Sequence, residues 1–317
     1  MFIEAINAYI DPIKPVDKAI ITHAHADHAK PNHKSVLATK DTINIMKIRY
    51  GENCAKSFQS VAYGEKIYIN GINLTLYPAG HILGSAQILI EDKRNKILVT
   101  GDYKTVKDKT CQSFELIQTE TLITEATFGL PIFKHPNPKD EIEKLLHSIK
   151  TFSSKCHIVG AYALGKSQRV ISLLREKGYD DTIYLHGAIE KITNYYLNRG
   201  IKLGKLKKVT KEDINSLKGK IIIAPPSAIK DKWVRKFSNV RYCLASGWMI
   251  VKQRAKQSKI ELPLVISDHA DWNELTNTIL RSNAKKIWLT HGRTDALKYW
   301  CKKNNINAEA LDLIGSN

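Results

Sequence analysis

Short apolar runs broken by turn residues make up the first part of the chain. Ala8-Tyr9-Ile10, Ala19-Ile20-Ile21 and Val36-Leu37-Ala38 each have the length of a strand and are too short for a helix. Residues 66–69 and 72–77 alternate around Asn70-Gly71, the dipeptide that favours a two-residue hairpin turn. A second strand pair follows at 87–91 and 97–100, around the turn Asp92-Lys93-Arg94-Asn95, and a further strand at 121–124. One early helix is expected over residues 41–50, with Asp41 as its N-cap.

From Phe128 the rhythm changes. Helical spacing at 140–153 and 166–176 alternates with strands at 157–160, 182–185, 220–224 and 241–245, as in parallel strands joined by helical crossovers. Short strands then return at 264–266 and 287–289, with a helix at 272–281 between them. The pattern predicts one discontinuous α/β domain, 1–127 plus 261–317, interrupted by an inserted α/β cap over 128–260.

Length and composition narrow the class. A chain of 317 residues has ample core for this arrangement, and a mean hydropathy of -0.29 is that of a globular protein. No uninterrupted apolar segment approaches the length of a membrane span, and the N-terminus lacks a basic-then-apolar secretory leader, so a cytoplasmic protein is expected. The five cysteines are scattered singly, which suggests reduced thiols rather than a disulfide framework or a structural zinc site. Lys+Arg 49 against Asp+Glu 31 gives a formal charge of +18. Such an excess suits a polyanionic partner, although lysine-rich chains can be basic through genome composition alone.

The candidate chemistry lies at the strand ends. Ile21-Thr22-His23-Ala24-His25-Ala26-Asp27-His28 puts three imidazoles and a carboxylate within six positions, spaced by alanines that allow a tight backbone. These are first-choice ligands for zinc and similar divalent ions. Asp11, at the end of an earlier strand, is suited either to brace these histidines by hydrogen bonds or to sit in a solvated turn. Later strands end in Gly80-His81, Gly101-Asp102, Glu125, Asp268-His269 and His291-Gly292. Glycines beside a ligand let the backbone come close to an ion.

His23, His25, Asp27, His28, His81 and Asp102, in this order on loops after strands, resemble the ligand set of the metallo-β-lactamase superfamily. That resemblance implies an αββα sandwich with a two-metal site at the sheet edge. His23, His25 and His81 would hold one ion, Asp27 and His28 the other, with Asp102 as the bridge. The inserted cap, Glu125, His269 and His291 resemble the β-CASP branch, whose members process nucleic acids. By that resemblance His291 completes the second ion's shell. Two divalent ions are implied, zinc or alternatively manganese.

The runs TEATFGLP, AYALGKSQRV, APPS, SGWM, SDHADW and LTHGRTDAL are similar to bacterial ligase-associated DNA exonucleases, over essentially the full length. The expectation is a monomeric DNA exonuclease acting on single-stranded DNA in repair, with 5'-to-3' polarity and an ATP-dependent DNA ligase as a functional associate. His291 matches the RNA-processing members rather than the Artemis-like group, so an RNA-processing β-CASP ribonuclease is the alternative. A non-catalytic nucleic-acid-binding subunit is a remoter one, since such relatives typically lose ligands and here every position is filled. The expected catalytic residues are Asp27, His269 as general acid, and Glu125 to orient His269; Asp268 or Asp271 would be the substitute partner.

In the cap, three loops have phosphate-handling chemistry. Lys166, Ser167 and Arg169 open a helix, where free N–H groups and the dipole favour an anion. Ser227 in the Ala224–Ser227 loop, and Ser246 and Gly247 in the next, follow strands, with Arg254 nearby. Each of these also suits ordinary capping or turn formation. His33, His135, His147, His157 and His186 belong to no motif and are read as structural or surface residues.

Overall fold

The computed structural model describes residues 1–210 and 217–311 and divides into two compact units, Met1–Lys134 with His269–Asn317, and His135–Asp268. The first unit holds two sheets. One has the order β1 (Phe2–Ile3), β2 (Ala8–Ile10), β3 (Lys18–Ile20), β4 (His33–Ala38) and β5 (Ala55–Ser60), parallel from β2 onward. The other has seven strands, in the order β18 (Asn307–Ala310), β17 (Lys286–Gly292), β10 (Thr121–Ala126), β9 (Lys96–Val99), β8 (Ala86–Glu91), β7 (Ile72–Pro78) and β6 (Lys66–Ile69).

Alternate residues of these strands face one apolar layer between the sheets. Ile10, Ile20 and Leu37 pack there with Leu76, Ile88, Val99 and Ile123. On the far face of the seven-stranded sheet, Leu89, Leu122, Ile287 and Leu289 pack against α6 (Trp272–Arg281) and α7 (Asp295–Lys303) through Leu275, Ile279, Leu297 and Cys301. Helix α1 (Lys40–Tyr50) lies against β5. The layering is the expected αββα sandwich.

Strand direction places the chemistry. β9, β10 and β17 run parallel to one another, and β7 shares their direction because two antiparallel pairings separate it from β9. Their carboxyl ends therefore lie at one sheet edge, and Asp102, Glu125, His291 and His81 all fall at or just beyond those ends. Glu125 and His291 fall just inside their strands rather than after them, with a register shift between Glu125 and Ala126.

The second unit is a six-stranded parallel sheet in the order β13 (Leu206–Lys208), β12 (Ile183–Leu185), β14 (Ile221–Ala224), β11 (Cys156–Gly160), β15 (Val240–Ala245) and β16 (Leu262–Leu264). Its helices are α2 (Pro138–Thr151), α3 (Lys166–Glu176), α4 (Gly187–Asn198) and α5 (Lys252–Gln257).

Two local expectations are corrected. The strand expected at 264–266 as a return to the first domain is β16, which pairs with β15 and extends the cap sheet. Its Pro263 sits at that sheet's edge, where a missing N–H is tolerated. The N-cap of α1 is Thr39, whose Oγ1 accepts from Thr42 N at 3.2 Å, while Asp41 occupies the first turn.

Candidate metal centre

The histidine loop leaves β3 and is braced from behind. Asp11 adopts φ 43°, a left-handed conformation that Asp tolerates better than most residues. Its Oδ1 accepts from Thr22 N at 2.8 Å, and its Oδ2 from Thr22 Oγ1 at 2.5 Å and from His28 Nδ1 at 2.8 Å. Because the Thr22 hydroxyl proton goes to Asp11, its oxygen is left to accept from His23 Nδ1 at 3.0 Å. That puts the His23 proton on Nδ1 and aims the Nε2 lone pair at the cluster. The same reasoning applied to His28 leaves its Nε2 facing Asp102. Of the two readings of Asp11, the brace is the one observed. Arg49, near the end of α1, adds a hydrogen bond to Ala24 O at 2.5 Å.

His81 arrives on a loop that only glycine permits. Gly80 has φ 72°, and a Cβ there would come within 2.2 Å of Lys104 O. Gly84 has φ 85°, and its carbonyl accepts from the hydroxyls of Thr39 at 2.7 Å and Thr42 at 2.9 Å.

Together these loops bring ligand atoms of His23, His25, His81 and Asp102 within 4.8 Å of one another. His25 Nδ1 is 3.1 Å from His23 Nε2 and 3.0 Å from His81 Nε2. Asp102 Oδ2 stands at the centre, 3.5 Å from His23 Nε2, 3.3 Å from His28 Nε2 and 3.8 Å from His269 Nδ1.

Burial pushes His23 well below its ordinary value, and neighbouring imidazoles add to that, so it stays neutral with its lone pair available. Burial alone would raise Asp102, but His28 and His269 outweigh it and hold the carboxyl well below the usual range. A buried neutral His23 that converges with His25 and His81 on a carboxylate is a donor set for a divalent metal, and the residues fit one.

The second expected shell is more open. Asp27 is 79% exposed in its side chain, with Oδ2 3.9 Å from His28 Nε2. His291 stacks on His28 at 5.0 Å between ring centroids. Neither joins a four-ligand group among the described residues. Glu125 is buried, accepting from Tyr103 N at 2.8 Å and Thr127 Oγ1 at 2.5 Å, and its Oε2 lies 3.0 Å from His269 Nδ1. A third group, Asp102, Glu125 and His269, has the same ligand spacing. Asp268 pairs with Lys166 at 2.5 Å, and Asp271 caps α6 by accepting from Glu274 N at 2.9 Å.

Thr22 and Glu274 drew no attention in the sequence. The available signals were a threonine directly before the first ligand and the D-x-x-E spacing of a capping box.

Within the cap unit, the loops after β11, β14 and β15 lie side by side at the carboxyl edge of the sheet, the usual ligand edge of a parallel sheet. Lys166, Ser167 and Arg169 are buried; Ser167 Oγ donates to Tyr162 O at 2.8 Å. Ser227 is exposed, Ser246 Oγ accepts from Trp248 N at 3.3 Å, and Gly247 is buried beside it. The Arg254 guanidinium lies 4.3 Å from the Trp248 ring centroid. The histidines outside the motifs have structural settings. His33 Nδ1 accepts from Val16 N at 3.2 Å, His157 meets Ser148 Oγ at 2.9 Å, and His186 caps α4.

An αββα sandwich with a His/Asp cluster at one sheet edge and a parallel α/β insertion defines the class. In sequence and fold the chain resembles the β-CASP branch of the metallo-β-lactamase superfamily. No family model matches it. A probable DNA ligase of Opitutus terrae is 26% identical over 98% of this chain and 30% of that protein. RNase aCSPSF2 of Saccharolobus solfataricus is 30% identical over 56% of this chain and 42% of that protein. The chain thus spans less than half the length of either relative. A crystal structure of an Enterococcus faecalis protein of unknown function superposes with a TM-score of 0.63 at 13% identity, covering 94% of this chain and 80% of that one, and supports the fold. Among the described residues no helix is long and apolar enough to cross a membrane.

Proposed function

We propose that the chain is a metal-dependent nuclease that hydrolyses phosphodiester bonds. The observation that carries this reading is the cluster of His23, His25, His81 and Asp102, in which the Asp11–Thr22 chain fixes the lone pair of His23. His23, His25 and His81 would hold one divalent ion, Asp27, His28 and His291 a second, and Asp102 both, with zinc as the expected metal. When bound, the ions supply Lewis acidity that activates water and draws charge from the phosphate. His269 is the proton donor to the departing sugar oxygen, and Glu125 holds it in place by a charge-assisted bond. The two relatives named above support a nucleic-acid substrate, one by its RNase name and one by its ligase name.

The finer reading is a single-strand DNA exonuclease of repair with 5'-to-3' polarity, acting as a cytoplasmic monomer alongside an ATP-dependent DNA ligase. Its support is the 26% identity to the ligase-named relative across 98% of this chain. RNA processing is the second reading, favoured by the RNase-named relatives. In the cap, Ser227, Ser246 and Arg254 are the better placed contacts to a phosphate backbone, whereas Lys166, Ser167, Arg169 and Gly247 shape the loops from within.

Matched single-stranded DNA and RNA, each labelled at one end and incubated with metal-loaded protein, test substrate, polarity and mode together. Mononucleotides released from 5'-labelled DNA are expected. Cleavage of RNA alone would replace the DNA reading, and no cleavage of either with zinc or manganese would remove the nuclease reading.

A further inference from the structure

We infer that a cavity beside the histidine loop is a nucleobase pocket, seating the base of one nucleotide that adjoins the phosphodiester at the metal-ligand cluster. This rests on the nuclease reading and adds a substrate contact to it. The cavity has a volume of about 570 Å³ and lies wholly within the first unit. That size is within the range of about 300–1,000 Å³ usual for small-molecule sites. One end is formed by Asp27, His28 and His291, the side chains expected to hold the second ion. A ligand lodged here is therefore continuous with whatever the cluster holds.

The walls say what kind of ligand it is. Ile10, Val99 and Ile123 line the interior, and Phe2, Tyr9 and Ile13 stand at the mouth with relative exposures of 47%, 37% and 56%. The Phe2 and Tyr9 rings pack at 4.6 Å between centroids. Three large apolar side chains gathered in water around one opening form a patch, unlike the single exposed apolar residues that any surface carries. Apolar walls with an aromatic pair suit the faces of a flat heterocycle and offer nothing to a phosphate.

The polar groups agree. Asp11 also lines the cavity, but its oxygens already accept from Thr22 and His28, so it is not an anchor for a sugar or a base edge. Among the other polar groups of the lining, Thr290, whose Oγ1 lies 3.3 Å from His291 Nδ1, presents a hydroxyl to a base edge, and the exposed Lys14 a cation to the next phosphate along the strand. Recognition through a π-face reads no sequence, so the pocket accepts every base.

The test uses the full chain freed of metal and a set of single-stranded hexanucleotides, each with 2-aminopurine at one position, alongside matched strands abasic at that position. One position is expected to be strongly quenched on binding. Phe2→Ala and Ile13→Ala together should weaken binding of the intact strand about tenfold, within the range of base stacking on aromatics, yet leave binding of the abasic strand unchanged. Tyr68→Ala, an exposed aromatic outside the cavity, should change neither. If Phe2→Ala fails to fold, Ile13→Ala on its exposed loop carries the comparison. Equal weakening of intact and abasic strands, or no weakening of either, overturns the pocket. Hydrolysis of the same strands by the metal-loaded protein judges the nuclease reading separately, since it can persist when the base coupling is absent.

Discussion

Replacement of Glu274 by Ala should be among the most destabilising single changes outside the cluster. Glu274 sits in the first turn of α6, and its Oε1 accepts from Thr105 N at 2.9 Å, Thr105 Oγ1 at 2.7 Å and Val106 N at 3.1 Å. Its Oε2 accepts from Asp271 N at 3.0 Å and forms an ion pair with Lys104. Lys104 is 5% exposed and Glu274 9%. One carboxylate therefore ties the segment after Asp102 to the segment after His269.

Truncation strands a buried ammonium and several amides, and removing one partner of a buried pair costs about 3–5 kcal/mol. Glu274→Gln keeps the three Oε1 contacts but turns an NH2 toward two donors, so it should lose somewhat less. Urea denaturation of the metal-free protein reads both values, and a loss below about 1 kcal/mol for Glu274→Ala would refute the reasoning.

The pH dependence adds a sign. Burial alone would raise the Glu274 pKa, but the Lys104 charge and the hydrogen bonds outweigh it and leave it lowered. A depressed folded value gives stability that is complete above the unfolded value of about 4.3 and lost as pH falls through the folded one. The gap between wild type and Glu274→Gln should therefore narrow below about pH 4; a gap that widens toward acid contradicts the pairing.

Other substitutions separate the roles within the cluster. Asp102→Ala should lower both bound metal, by elemental analysis, and turnover, because Asp102 Oδ2 faces several imidazoles at once. His269→Ala should keep near-normal metal content while turnover falls about 10²–10⁴-fold, the range for a lost proton donor; loss of an ion in this variant would make His269 a ligand instead. Asp11→Ala frees His28 and the Thr22–His23 chain, and should weaken metal affinity about 10–100-fold in a chelator competition without touching an ion itself.

Sequence pattern recovered what is local. The Asn70-Gly71 hairpin appears with both residues at positive φ, and α3 and α6 begin and end where their spacing predicted. The ligand loops were readable because strand ends with His, Asp and Gly are a chemical pattern independent of packing. What periodicity could not give was partnership across the chain. Leu262–Leu264 is an apolar run that fits either domain, and only its pairing with Val240–Ala245 assigns it. The two compact units divide after Lys134 and after Asp268. Lys166 and Arg169 looked like anion ligands at a helix start, yet both are buried, and Lys166 meets an Asp 102 positions away. Glu274 was hidden for the same reason, since most of its donors come from residues some 170 positions earlier.

The central claim is that the strand-end histidines and Asp102 form a metal centre that hydrolyses nucleic acid. It is tested most directly by measuring bound metal in the purified chain together with its cleavage of end-labelled single-stranded DNA and RNA, before chelation, after it, and after metal is restored. The account predicts bound zinc or manganese, cleavage lost with the metal and regained with it, and loss of both in Asp102→Ala. A chain that binds no divalent metal, or whose cleavage survives full chelation, contradicts it.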